Sequence, residues 1–325
     1  MLKTSRSRLP LLVAAATLGF SLAGGSAWAQ LDSLTIMAPA APGGGWDGTA
    51  RAMQQTIQEE GIVGNVEVTN IPGAGGTIGL AQFSSNAAGQ GDQLMVTGLV
   101  MVGAVLTNNS PVSLEQTTPI ARLTGEYEVI VVPAASEIQT LDDLIEKFKA
   151  EPRSVAWAGG SAGGTDHILV GLIAGAVGVE PSGVNYIAFS GGGEALAALL
   201  ANDVTAGVSG LSEFAGQIEA GELRAIAISS PERLEGSDIP TLIEQGVDVD
   251  LVNWRAVVAP PNLEEEDRQQ LLTTVESMVQ SETWKNTLEQ RGWMDSYLAG
   301  DEFAAFLEED RQRIEGVLKD IGLVR

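Results

Sequence analysis

Short runs of β-branched and aliphatic residues alternate along this chain with segments whose apolar positions recur every three to four residues, and glycine-rich stretches separate many of them. Residues 34–37, 66–70 and 94–98 have the composition of strands, residues 48–60 and 77–84 that of helices, and 72–76 that of a loop. A longer extended run at 127–133 reads as a crossover, after which the pattern restarts. Residues 140–149 form an expected helix with Thr140 as N-cap and Asp142 and Asp143 in the first turn, where acids suit the helix dipole. Strands are expected at 154–158, 184–189, 204–209 and 223–229, with helices at 166–177 and 194–201. The run 249–259 reads as a return crossover. Asn262 is a candidate cap for a helix opening on Glu264, Glu265 and Glu266, and Phe303, Phe306, Leu307, Ile314, Val317 and Leu318 keep helical spacing around an incongruous Asp310.

Strand, glycine loop and helix in repetition imply parallel α/β sheets. Two such sets joined by two extended crossovers predict a two-domain clamshell like the type II periplasmic binding proteins, its cleft where strand C-termini meet helix N-termini. The expected division is a leader at 1–29, a first domain of 30–128 plus 253–325, and a second of 129–252.

Lys3, Arg6 and Arg8, an apolar run at 9–20 and the small-residue exit Ala27-Trp28-Ala29 make a secretory signal peptide, which places the mature protein in the periplasm of a Gram-negative cell. The apolar run, about a dozen residues, is too short for an anchor, which takes roughly 20. The stretch 168–179 is also too short and reads as a buried helix. The chain has no cysteine, so disulfides and lipid attachment at the cleavage site are excluded. With 18 Lys plus Arg against 42 Asp plus Glu, its formal charge is −24, which disfavours nucleic acid and anionic lipid as partners.

Three loops carry candidate chemistry: Ala41-Pro42-Gly43-Gly44-Gly45-Trp46-Asp47, Pro72-Gly73-Ala74-Gly75-Gly76-Thr77 and Gly159-Gly160-Ser161-Ala162-Gly163-Gly164-Thr165. Each lies between a strand and a helix. Glycine lets backbone N–H groups approach a ligand, and a helix N-terminus adds partial positive charge, so such loops can bind an anion without Lys or Arg. Read singly, each is equally a tight turn; three together point to a shared cleft. Trp46 can wall a pocket or fill core, and Asp47 can orient water or cap its helix. Ser190-Gly191-Gly192-Gly193 opens another helix, and Ser209 ends a strand on the same surface. Trp254 and Arg255 lie in the return crossover, where they either seal the cleft or serve structure. His167, the only histidine, beside Asp166, is a ligand donor, a domain contact or a cap.

Gly159-Gly160-Ser161-Ala162-Gly163 also matches the G-x-S-x-G nucleophile elbow, making an α/β serine hydrolase with Ser161 the alternative. That enzyme needs a histidine late in the chain, and His167 follows the elbow at once. Gly73-Ala74-Gly75-Gly76-Thr77-Ile78 lacks the last glycine of a dinucleotide fingerprint, there is no phosphate-binding P-loop, and one histidine without cysteine argues against a transition metal. No cofactor, metal or catalytic residue is expected.

At these residues the chain resembles the solute receptors of tripartite tricarboxylate transporters, the Bug family. The resemblance runs in order through Pro42-Gly43-Gly44-Gly45-Trp46-Asp47, Ala50-Arg51, Asn70-Ile71-Pro72-Gly73-Ala74-Gly75-Gly76-Thr77-Ile78-Gly79, Thr118-Pro119-Ile120-Ala121-Arg122-Leu123 and Gly163-Gly164-Thr165-Asp166-His167. It continues through Leu223-Arg224-Ala225-Ile226-Ala227, Pro240-Thr241-Leu242-Ile243-Glu244-Gln245-Gly246 and Asn253-Trp254-Arg255. It implies a monomeric periplasmic receptor that holds a small carboxylate, a tricarboxylate such as citrate first among them, between loops of both lobes. It also implies delivery to membrane permease subunits driven by an ion gradient. Residues 43–47 and 161–167 match the two carboxylate-gripping loops. Two departures are the opening Ala40-Ala41-Pro42 and the uncharged Ser190, where many members carry Lys or Arg.

Export is expected to remove the leader after Ala29, so N-terminal sequencing of periplasmic material should begin at Gln30. Recovery of the intact chain from membranes would contradict this.

Overall fold

The computed structural model describes residues 31–324; the expected signal peptide and its cleavage site lie outside them. Strand β1 (Ser33–Ala38) buries Leu34, Ile36 and Ala38, and β2 (Asn65–Asn70) and β3 (Gln93–Gly98) pair with it in parallel on either side. Helices α1 (Gly45–Glu59) and α2 (Thr77–Asn86) make the crossovers, and α3 (Leu99–Thr107) follows β3.

Strand β4 (Thr118–Pro133) is the long element that ties the molecule together. Up to Tyr127 it pairs antiparallel with β9 (Val252–Ala259), and near its start also with β10 (Met294–Ala299). From Glu128 onward it pairs instead with β7 (Ala206–Gly210) and β8 (Leu223–Ile228). In the second half β5 (Ala156–Gly159) runs parallel between β6 (Asn185–Ala188) and β7. Helices α4 (Leu141–Ala150), α5 (Thr165–Ala176), α6 (Gly192–Leu200) and α7 (Leu211–Glu219) belong to this half. The return through β9 leads to α8 (Glu265–Gln280), α9 (Glu282–Arg291), β10 and α10 (Gly300–Asp320). The strand order is β2-β1-β3-β9-β4-β7-β5-β6, with β8 and β10 also on β4.

Thr140 caps α4 in a reciprocal box: its hydroxyl accepts the Asp143 N–H, and Asp143 accepts the Thr140 N–H. The run 168–179 falls largely in α5, which is mostly buried, and among the described residues no helix is long and apolar enough to cross a membrane. Asn262 is not a cap. It sits at φ 61°, and α8 starts after Glu264, with Glu265, Glu266 and Asp267 in its first turn. Asp310 stands in the buried stripe of α10 because its carboxylate accepts the Trp254 indole N–H at 3.0 Å and pairs with Arg313.

Charged groups are sealed where β4 changes partners. Arg255 on β9 is 2% exposed and its Nη1 lies 2.7 Å from Oε2 of Glu126, itself 1% exposed. Its Nη2 lies 3.6 Å from Glu213 Oε1 on α7. Glu128 is fully buried and sets its carboxyl against that of Asp166. Burial, then the carboxylates of Asp166, Glu126 and Glu213, push its pKa well above the usual range, against the pull of Arg255. Burial likewise raises Asp166, opposed by the Gly160 N–H, and pushes Glu213 up to about 7.

Groups with raised folded-state pKa stabilise fully below the ordinary carboxylate value, and that contribution is lost as pH rises through the folded value. The melting temperature is therefore expected to fall by a few degrees from about pH 5.5 to about pH 8, and Glu213→Gln should flatten that slope. A wild-type melting temperature that climbs over this interval would contradict the protonated cluster.

Candidate functional site

A cavity of about 350 Å³ lies where strand C-termini of both halves meet helix N-termini. Among the described residues, α1, α2, α5 and α6 all begin on it. Their N-caps are Gly44, Gly76, Gly164 and Gly191, and none supplies a side-chain cap. First-turn N–H groups have no intrahelical acceptor, and Ser, Thr, Asp or Asn normally satisfies one of them. Glycine caps leave those donors, and the positive ends of the helix dipoles, for whatever enters the cavity.

Side chains just inside each helix reach back to set the loops. Asp47 Oδ2 accepts the Gly43 N–H and the Arg51 Nε–H, each at 2.9 Å, while Oδ1 accepts Asn70 Nδ2. Burial works to raise the Asp47 pKa, but these donors together hold it below the usual range. Asp166 accepts the Gly160 N–H, and Glu194 accepts the Ser190 N–H at 3.0 Å. The second loop is shaped differently: Gly73, Ala74, Gly75 and Gly76 all have positive φ, the alanine at 49°. Such a conformation in a non-glycine residue stores strain. The Ala74 carbonyl is pinned by Thr77 Oγ1 at 2.9 Å and Asn108 Nδ2 at 3.0 Å. A Cβ at Gly75 would run into Ala104, and one at Gly76 would lie 2.6 Å from the Trp46 ring.

Of the residues singled out by sequence, Gly44, Gly45, Trp46, Gly75, Gly76, Ser161, Gly164, Thr165, Asp166, Ser190, Gly191 and Ser209 line the cavity. Gly43, Asp47, Thr77, Gly163, His167 and Trp254 do not. Asp47 and Thr77 hold loops from behind. Gly163, at φ 76°, has Thr107 against the position a Cβ would take. Trp254 faces α10, edge-on to Phe306 at 5.3 Å and bonded to Asp310. Arg255, left open between cleft and structure, does both: it touches the cavity and is locked in the buried cluster.

His167 stacks on Tyr186 with ring centroids 4.1 Å apart, and its Nδ1 accepts the Gly163 N–H at 3.1 Å. Nδ1 thus carries no proton, and the neutral ring keeps its proton on Nε2. Burial lowers its pKa to about 4. A ring held this way has no vacant nitrogen with which to deprotonate Ser161, so the elbow motif is a helix-opening loop without its base.

Sequence reasoning missed Asn108, Glu194, Glu213 and Asn253 as site residues, and all of them line the cavity. Asn253 Oδ1 accepts the Thr165 hydroxyl at 3.3 Å, a link between β9 and α5. A signal for Glu213 was present: Ser209-Gly210 ends β7 and opens α7, the same strand, glycine and helix arrangement as the other loops.

The model of the tripartite tricarboxylate transporter family receptor (TctC) matches residues 49–323. Protein BugT of Bordetella pertussis is 28% identical over 295 residues, 89% of each chain. Among solved structures, the periplasmic binding protein BugD matches with a TM-score of 0.81 at 21% identity, over 90% of this chain and 98% of its own. MatC from Rhodopseudomonas palustris with bound malate gives 0.79 at 23% identity, over 88% of this chain and 98% of its own. An R. palustris protein with adipate gives 0.77 at 22% identity, over 89% and 97%. At these identities the structures establish a shared fold, the mixed α/β fold of periplasmic binding proteins. The family model goes further: this chain belongs to the tripartite tricarboxylate transporter receptor family, a family of solute-binding proteins and not of enzymes.

Proposed function

We propose that this protein captures a small carboxylate in the periplasm and delivers it to the membrane permease of a tripartite tricarboxylate transporter. The ligand's carboxylate is held by backbone N–H groups at the starts of α1, α2, α5 and α6, between lobes made of residues 30–128 plus 253–325 and 129–252. The observation that carries this reading is the convergence of four glycine-capped helix starts, two from each lobe, on one cavity. The malate and adipate held by two relatives of the same fold support a carboxylate, and the family's name keeps citrate-like tricarboxylates in the same class. The formal charge of −24 repels anions at long range, but charges beyond roughly 8 Å are screened at physiological salt. Helix starts act within contact distance, so the local attraction prevails.

Gly44 allows a direct test. Its φ of −88° and ψ of 175° suit any L-residue, and a Cβ there would come no nearer than 3.9 Å to other atoms. Gly44→Val is therefore expected to fold with little loss of melting temperature and to weaken carboxylate binding by at least about tenfold in calorimetry. Arg233→Ala, which removes an exposed pair with Glu244, should change neither by more than about 1 kcal/mol. In a di- and tricarboxylate panel, a ligand at about 100 times its Kd adds about 2.7 kcal/mol of stability. Normal affinity in Gly44→Val would contradict capture at the helix starts. Gly163→Val is a poorer probe, because its side chain would collide with Thr107 and disturb the fold itself.

A further inference from the structure

The wall of the cavity that carries the starts of α1 and α6 also carries a carboxyl. A Cβ built on Gly45 would come 2.7 Å from Glu213 Oε1 and would meet the Arg255 guanidinium, and one built on Gly192 would strike Glu213 Oε2. Glu213 lines the cavity and keeps 15% of its side chain exposed. An anion held by the first-turn amides of Gly45 and Gly192 therefore sits against this side chain, with Arg255 beside both.

The charges around Glu213 are already unbalanced before an anion enters. From β9, Arg255 brings Nη2 to 3.6 Å from Glu213, but its Nη1 is committed to Glu126 of β4 at 2.7 Å. Strand β4 also brings Glu128 and α5 brings Asp166, so among the described residues four carboxyls share one buried guanidinium here. From β7 the Ser209 hydroxyl lies 3.2 Å from Glu213 Oε2. Other charged groups on the packed elements are engaged elsewhere: Asp47 of α1 with Arg51, Glu194 of α6 with the Ser190 N–H, and Arg224 of β8 with the Ala134 and Ile138 carbonyls. Arg291 lies over the Trp293 ring at 4.9 Å, and Glu219 is at the far end of α7. Burial, resisted by Arg255 and reinforced by Glu126 and Asp166, pushes the Glu213 carboxyl up to about 7.

Resting on the carboxylate reading above, we propose that Glu213 takes up a proton as the ligand binds, so that the protein captures a carboxylate anion and a proton together. Left ionised, Glu213 would set like charges side by side in a partly desolvated site, which costs far more than in water. Protonated, it changes from an acceptor into an O–H donor and adds one hydrogen bond to those of the amides. The proton comes from the surrounding buffer and forms one O–H bond on a Glu213 oxygen. Anion and proton then raise each other's affinity by the same factor. The sign follows: binding is strongest where Glu213 is protonated and weakens as pH rises through its value in the complex. His167, the only histidine, is held by burial at about 4 and stays neutral throughout the neutral range.

The test is calorimetry at about pH 6.5 to about pH 8.5 in HEPES and in Tris, whose different heats of ionisation report the protons taken up. The probe is the tightest binder in a panel of four- to six-carbon dicarboxylates, which are ionised over this range. Wild type is expected to take up at least about half a proton per ligand at about pH 8, and its Kd should rise at least about fivefold across the range. Glu213→Gln, uncharged and of the same shape as the protonated acid, should exchange almost no protons and hold its Kd within about twofold across the range. Its folding is checked by its melting curve, and if it does not fold the wild-type proton count decides. Wild-type binding without proton uptake, or uptake that persists in Glu213→Gln, overturns the role of Glu213 and leaves the carboxylate site intact. Binding by no member of the panel overturns the carboxylate reading, and this inference with it.

Discussion

A single guanidinium, sealed from solvent, fixes the place where the two halves meet. Arg255 on β9 lies against Glu126 on β4, and the other oxygen of Glu126 accepts the Ser212 N–H at the start of α7. The guanidinium groups of Arg255 and Arg291 lie over the Trp293 ring, at 5.4 and 4.9 Å from its centroid, and its indole N–H donates to Ser212. Strand pairing, the start of α7 and the acidic wall of the cavity thus share one cation. Removing one member of a buried pair leaves a charge uncompensated, typically at about 3–5 kcal/mol. Glu128, buried beside Asp166, has its pKa pushed well above the usual range by that burial.

Above this floor the fold uses backbone in place of basic side chains. Parallel strands lead into helices at one surface, so their N-termini gather wherever the strands end. Glycine at each cap keeps the amides open, and Asp47, Asp166, His167 and Glu194 spend their polar atoms on the loop backbone. These are positioning residues: they determine where the amides point.

Much of this was legible in the sequence, because glycine clusters between strand and helix patterns have few physical explanations. The N-cap at Thr140 and the alternating elements of both halves were equally legible. Helices α3, α7 and α9 and strand β10 were not. Helix α3 is Leu-Val-Met-Val-Gly-Ala-Val-Leu-Thr, apolar on nearly every side, so it shows no amphipathic period. Strand β10 is only half-buried and bulged against β4, which blurs its alternation. Helix α7 follows its strand with no loop between, and Glu213 went unnoticed with it. Asp47, His167 and Trp254 were singled out as residue types suited to a ligand, but chain pattern does not reveal which way a side chain turns. The burial of Glu126 and Glu128 carries no local sequence signal, since it depends on partners distant in sequence, here Arg255 and Asp166.

The central claim, that backbone amides at glycine-capped helix starts receive the carboxylate, is tested most directly by amide chemical shifts during titration. Backbone N–H resonances of Gly45, Thr77, Thr165 and Gly192 are expected to move downfield together and saturate with a bound carboxylate, as new hydrogen bonds form. The arginine side-chain resonances should stay nearly still. Amides that do not move while an arginine Nε–H resonance tracks saturation would contradict the account.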